Sequence, residues 1–173
     1  MTLSTCQSAP SPPSSPPPEV WDWLNKHGVT EAQLSQVNMG GTARFAFGSV
    51  QMMQAVHSSS MPNGAAGGNA CGFLIRTPGG SFSDPGDTAS TLHLQLIPRR
   101  GPLDRSVLSL SDTFTTDAED ALDATRLVRR DEVGGGVHFN TRQPSAIDWE
   151  AALTCFSNAG KRVRLPPCAE LSL

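Results

Sequence analysis

The chain has 173 residues, enough for one domain of ordinary size, with 38% hydrophobic and 17% charged residues, the charged share below the usual globular average. The net charge of −3 excludes the broad basic footprint of a general nucleic-acid binder. No apolar run approaches the length of a membrane-spanning helix, and the start, Met1-Thr2-Leu3-Ser4-Thr5, lacks the basic and apolar regions of a signal peptide, so the expectation is an intracellular, cytoplasmic protein.

Residues 1–18 form a Ser/Pro tract that ends in Pro16-Pro17-Pro18. Such composition buries too little apolar surface to offset backbone entropy, so the tract reads as a disordered tail with polyproline II tendency. Glu19 to His27 reads as a short helix, with Val20, Trp23 and Leu24 on one face and Gly28 as its stop. Thr30-Glu31-Ala32-Gln33 is a capping box, which predicts a second helix and hence a helical hairpin. Gly40-Gly41 breaks the chain, and residues 42–57 read as a short strand then a short helix. Residues 58–70, rich in Ser, Pro, Asn, Gly and Ala, read as a flexible linker.

From Cys71 onward the texture changes. Phe73–Arg76 reads as a buried strand and 77–90 as a loop. Thr91–Ile97 reads as a strand, because Leu92, Leu94 and Leu96 alternate with His93 and Gln95. Ser106–Leu110 follows as a strand. Thr116-Asp117-Ala118-Glu119 opens an amphipathic helix that runs to Arg130, with acids early and arginines late, as the helix dipole favours. Val137–Thr141 is a short strand. Asp148 opens a second helix through Trp149, Ala152, Leu153 and Phe156, and Lys161–Leu165 is a closing strand. The expected fold is α+β: a small layered domain of short strands with two amphipathic helices, preceded by the helical hairpin and the disordered tail. The expected division is tail 1–18, helical region 19–57, linker 58–70, domain 71–166 and tail 167–173.

The candidate chemistry centres on Gly67-Gly68-Asn69-Ala70-Cys71-Gly72-Phe73. A cysteine nucleophile needs a base, and the base needs an orienting partner. Cys71, His138 and Asp148 occur in that order, with His93 as another possible base. The structural alternative is simple: Cys71 packs as a small hydrophobe, His138 and His93 face solvent on strands, and Asp148 caps its helix. The phrase Gly68–Gly72 resembles the active-site cysteine segment of ubiquitin C-terminal hydrolases. That resemblance implies Cys71 as nucleophile, His138 as base and Asp148 as its orienter. Phe73 departs from the threonine of that family, and Ala65 stands where its oxyanion glutamine belongs.

Four cysteines, Cys6, Cys71, Cys155 and Cys168, show no C-x-x-C pair, so neither a metal site nor a cofactor is indicated, and the cysteines are expected free. The glycine runs match neither a P-loop nor a dinucleotide fingerprint. Two basic clusters, Arg126/Arg129/Arg130 and Lys161/Arg162/Arg164, are candidate binding residues for an anionic partner. The first also serves its helix C-terminus, and the second suits a charged edge strand. Every candidate catalytic residue has a sufficient structural role. The favoured expectation is therefore a non-enzymatic adaptor or regulator that binds a protein partner. A Cys71–His138–Asp148 hydrolase and weak nucleic-acid binding through the basic patches are the alternatives.

Overall fold

The computed structural model describes residues 15–129, 132–133, 135–140 and 145–165. Most of the Ser/Pro tail, Arg130 and residues 167–173 lie outside the described residues.

A mixed sheet of six strands forms the centre. Its strands are β1 (Thr42–Phe45), β2 (Gly48–Gln54), β3 (Cys71–Thr77), β4 (Gly80–Asp84), β5 (Arg105–Ser109) and β7 (Gly135–Val137), which stand side by side in that order. The pairs from β1 to β4 are antiparallel, whereas β4, β5 and β7 run parallel. The short β6 (Glu132–Val133) and β8 (Arg162–Val163) pair in parallel as a separate ribbon. Among the described residues four helices accompany the strands: α1 (Pro18–Lys26), α2 (Leu96–Arg99), α3 (Ala118–Leu127) and α4 (Trp149–Asn158).

The two long amphipathic helices form as their sequence signals require. Asp117 caps α3 by accepting from the Asp120 N–H, and Asp148 caps α4 by accepting from the Ala151 N–H, at 2.8 and 2.9 Å. Their inner faces, including Ala121, Leu122, Ala124, Ala152 and Phe156, join Leu74 of β3 and Leu108 of β5 in one core. Small serines on the same side of the sheet, Ser81, Ser83 and Ser106, are buried and leave room for close packing.

The other side of the sheet differs. Strand alternation and register place Phe73, Ile75, Phe82 and Val107 there, with Ile75 opposite both Val50 and Phe82. All four are half-buried. That side is closed over β1 and β2, where Ala43 and Met52 are buried.

Several sequence expectations change. The stretch 42–57, read as strand then helix, is the β1–β2 hairpin. The 77–90 loop contains β4, whose Ser-Phe-Ser pattern carries too little apolar signal to announce a strand. Thr91–Ile97, read as a strand, is a 3-10 turn at Leu92–Gln95 leading into α2. Its buried residues are Leu94 and Ile97, three apart, while Leu92 is 67% and Leu96 42% exposed. Pro98, which cannot donate to a ladder, favours the helical path. The capping box at Thr30 is formed, but it opens only a 3-10 turn, Glu31–Gln33, so the helical hairpin is not present as a pair of α-helices.

Candidate functional site

The β3 strand runs opposite to β4, β5 and β7, so Cys71 at its start lies at the same sheet end as Asp84, Ser109 and Val137. The loops leaving β4, β5 and β7 therefore gather at that end. Two glycines let them pass closely. A side chain at Gly72 would strike the backbone of Pro85, and Gly86, at φ +71°, lies against the Cys71 carbonyl.

Thr88 ties the loops together. It is 2% exposed, and its hydroxyl accepts from the Val56 N–H at 2.9 Å and donates to the Ala89 carbonyl at 2.9 Å. The Ala89 N–H returns to the Val56 carbonyl, and the Ser109 hydroxyl donates to the Thr88 carbonyl. This lattice fixes Asp87 next to Thr88, and it brings the end of the β2 segment, with His57, beside the same loop.

His138 follows β7 with φ +64°, an uncommon conformation for a side-chain-bearing residue. Phe139, buried to 4% exposure, packs edge-on against Trp149 at 5.4 Å between ring centroids. Burying Phe139 while β7 ends turns His138 toward the loop cluster. Its Nε2 stands 3.3 Å from Asp87 Oδ2, and its Nδ1 is buried with no hydrogen-bond partner among the described residues. Beyond it, Asn140 accepts from the Ile147 N–H and holds the chain that leads to α4.

The residues named from sequence are placed as follows. Cys71 is half-buried, and burial pushes its thiol above the ordinary range, which lowers the thiolate fraction a nucleophile needs. The imidazole of His138 meets Asp87, whereas the Asp148 carboxylate caps α4. Among the described residues no hydrogen bond or ion pair joins Cys71 to His138 or His138 to Asp148. His93 is exposed on the 3-10 turn rather than on a strand. Arg126 pairs with Asp123 on its own helix, Arg129 occupies the turn after α3, and Arg162 lies on β8. Lys161 and Arg164 flank β8. The Arg164 carbonyl accepts from the Gly136 N–H at 2.8 Å and so anchors the ribbon to β7.

Sequence reasoning missed Asp87 and His57. Asp87 sits in Gly86-Asp87-Thr88, and His57 precedes Ser58-Ser59-Ser60; both look like ordinary loop residues. A signal existed only in combination: each follows a strand, as His138 does, and strand ends of an α/β sheet gather polar side chains. Among the described residues no group of three or more His, Cys, Asp or Glu side chains converges closely enough to hold a metal ion. Asp87 and His138 make a pair.

Comparisons with known proteins change the functional frame. No family model matches the chain. A UPF0173 metal-dependent hydrolase of Flavobacterium johnsoniae is 39% identical over 147 residues, covering 85% of this chain and 64% of that protein. The solved structure of Igni18, a novel metallo hydrolase from the archaeon Ignicoccus hospitalis, superposes with a TM-score of 0.73 at 27% identity, covering 86% of this chain and 63% of that one. The metallo-beta-lactamase fold protein YhfI from Bacillus subtilis superposes with a TM-score of 0.54 at 10% identity, covering 83% of this chain and 58% of that one. The chain spans under two thirds of the length of these proteins.

The fold is metallo-β-lactamase-like, a mixed six-stranded sheet with four helices. The expectation of a non-enzymatic adaptor or regulator is overturned, because the curated relatives are hydrolases by name, as is the solved protein with 27% identity. The same finding overturns the reading that the chain is not an enzyme. Among the described residues no helix is long and apolar enough to cross a membrane.

Proposed function

We propose that this chain carries part of the active centre of a metal-dependent hydrolase, with Asp87 and His138 as metal-binding residues. The observation that carries this reading is the His138 Nε2–Asp87 Oδ2 approach of 3.3 Å at the gathered strand ends. The names of the relatives supply the reaction class.

The donor chemistry fits. A carboxylate oxygen and an imidazole nitrogen are ligands that zinc accepts, and catalytic zinc takes three protein ligands with one open position. His138 Nε2 and Asp87 Oδ2 face each other at 3.3 Å, which puts both donor atoms within reach of one ion. Side-chain exposures of 35% for His138 and 42% for Asp87 leave the pair open to solvent and substrate. His57 is a further imidazole at the same sheet end, on the segment tied to Thr88, but among the described residues it does not converge with Asp87 and His138 into a three-donor group. Its Nδ1 lies 2.8 Å from the Ser58 carbonyl, which leaves Nε2 available.

When bound, the metal would supply an activated water and a Lewis acid for a polarised substrate carbonyl or phosphoryl oxygen. The remaining tasks fall to the chain. Thr88 holds the Asp87 loop to the end of β2. The positive φ of His138 and the burial of Phe139 fix the direction of the imidazole. Asn140 restrains the segment that follows.

Zinc content after dialysis against a weak chelator tests the assignment. The intact protein is expected to retain zinc and to hydrolyse activated esters in its presence. His138→Ala and Asp87→Ala are each expected to weaken zinc retention by at least about tenfold, with the far-ultraviolet circular dichroism unchanged. Zinc retention equal to that of the parent in both variants would reject the assignment. The cysteine alternative predicts the reverse pattern, with hydrolysis lost on Cys71→Ser and insensitive to chelation.

A further inference from the structure

A concavity lies away from the strand-end loops, on the helix-bearing side of the sheet. It has a volume of about 230 Å³ and is lined by Met39, Met53, Leu94, Leu96 and Ile97 among others. Neither Asp87, His138 nor Cys71 lines it. Leu94 and Ile97 are 3% and 2% exposed and belong to the core, so the inner wall is rigid. The Gln51 amide spends a hydrogen on the Gly40 carbonyl at 3.0 Å and thereby holds the Met39–Gly40 lip against β2. Leu96, 42% exposed, stands at the opening. Methionine side chains adapt readily to apolar guests.

The charge around the opening has one sign. The titratable side chains of the lining are His93 and Arg100, and no carboxylate contributes. Arg76, on β3, donates from Nη2 to the Arg100 backbone carbonyl at 2.7 Å and so restrains the Arg100 segment. Among the described residues neither arginine forms an ion pair. Arg100 thus stands in the wall of an apolar cavity that has no acidic lining residue.

We propose that this cavity binds a short-chain alkyl carboxylate, with the hydrocarbon against Met53, Leu94 and Ile97 and the carboxylate at Arg100. Apolar pockets with a few placed polar groups are the general form of small-molecule sites. The arginine fork matches a carboxylate in two parallel hydrogen bonds. The volume corresponds to about eight water-sized groups, which suits a chain of six to eight carbons. The proposal stands on the cavity alone and is independent of the metal assignment.

The test uses the full chain with ¹³C-methyl-labelled methionine. Octanoate is compared with octanol and octylammonium, which share the chain and differ in the head group. Saturable shifts of the Met39 and Met53 methyl signals are expected with octanoate. Octanol is expected to bind about tenfold more weakly and octylammonium more weakly still. Arg100→Gln is expected to remove the preference for octanoate over octanol while leaving octanol binding in place. Leu96→Asp places a repelling charge at the exposed mouth without touching the core, and it is expected to abolish octanoate binding. Equal response to all three compounds, an unchanged octanoate affinity in Arg100→Gln, or methyl signals that stay still to millimolar octanoate would each overturn the proposal.

Discussion

The two sides of strand β3 have opposite surroundings although they alternate along seven residues. Leu74 is 1% exposed in the core cluster that includes residues of α2, α3 and α4, whereas its neighbours Phe73 and Ile75 are half-buried on the other side. The difference teaches where the stability of this chain resides. Apolar character is similar on the two sides, but only one has a packed layer of helices against it. Cys71 shares the half-buried side by alternation, which explains a thiol that is partly desolvated and has no hydrogen-bond partner among the described residues.

The largest expected effect sharpens that contrast. Leu74→Ala is expected to cost about 2–5 kcal/mol in urea unfolding, because it opens a cavity among close-packed neighbours. Ile75→Ala is expected to cost clearly less, since the half-exposed site already gives part of its surface to water. Equal losses at the two positions would break the comparison and show that both faces are covered in solution.

A smaller effect concerns how the covering layer is anchored. Asp148→Ala removes the acceptor for the Ala151 N–H and is expected to cost about 1 kcal/mol, with Asp148→Asn recovering most of it. If the loss also appeared in the Asn variant, the carboxylate would have a role beyond the cap. The smallest effect is kinetic. Burial raises the Cys71 thiol, so its thiolate fraction at neutral pH falls below that of an ordinary cysteine. Iodoacetamide is therefore expected to label Cys71 more slowly than it labels glutathione at pH 7, with the rate climbing until well above pH 8.5. Fast labelling near pH 6 would return Cys71 to consideration as a nucleophile.

The elements legible in the sequence were those with local signals. Helices α3 and α4 carry N-cap aspartates and periodic apolar faces, and β3 and β5 carry short apolar runs bounded by breakers. Strand β4 was hidden because three of its five residues are Gly or Ser, and the sheet supplies the apolar neighbours that Phe82 needs. The Thr91–Ile97 segment showed a period of two in its leucines and a spacing of three between Leu94 and Ile97. Only the contact with the core selected the helical pattern. For the site, His138 was visible as a candidate, but its acidic neighbour was sought at Asp148, ten residues on, rather than at Asp87, fifty-one residues before it.

The sequence by itself determined the capped helices, the glycine breaks and the modest size of the core, because capping, periodicity and composition act within a few residues. Tertiary structure decided which strands stand together, which side of β3 is buried, and that His138 faces Asp87. Those outcomes depend on loops from distant segments meeting at one sheet end, held by Thr88 and admitted by Gly72 and Gly86. Spacing along the chain carries no record of that meeting, since parallel strands bring remote residues together through crossovers of variable length.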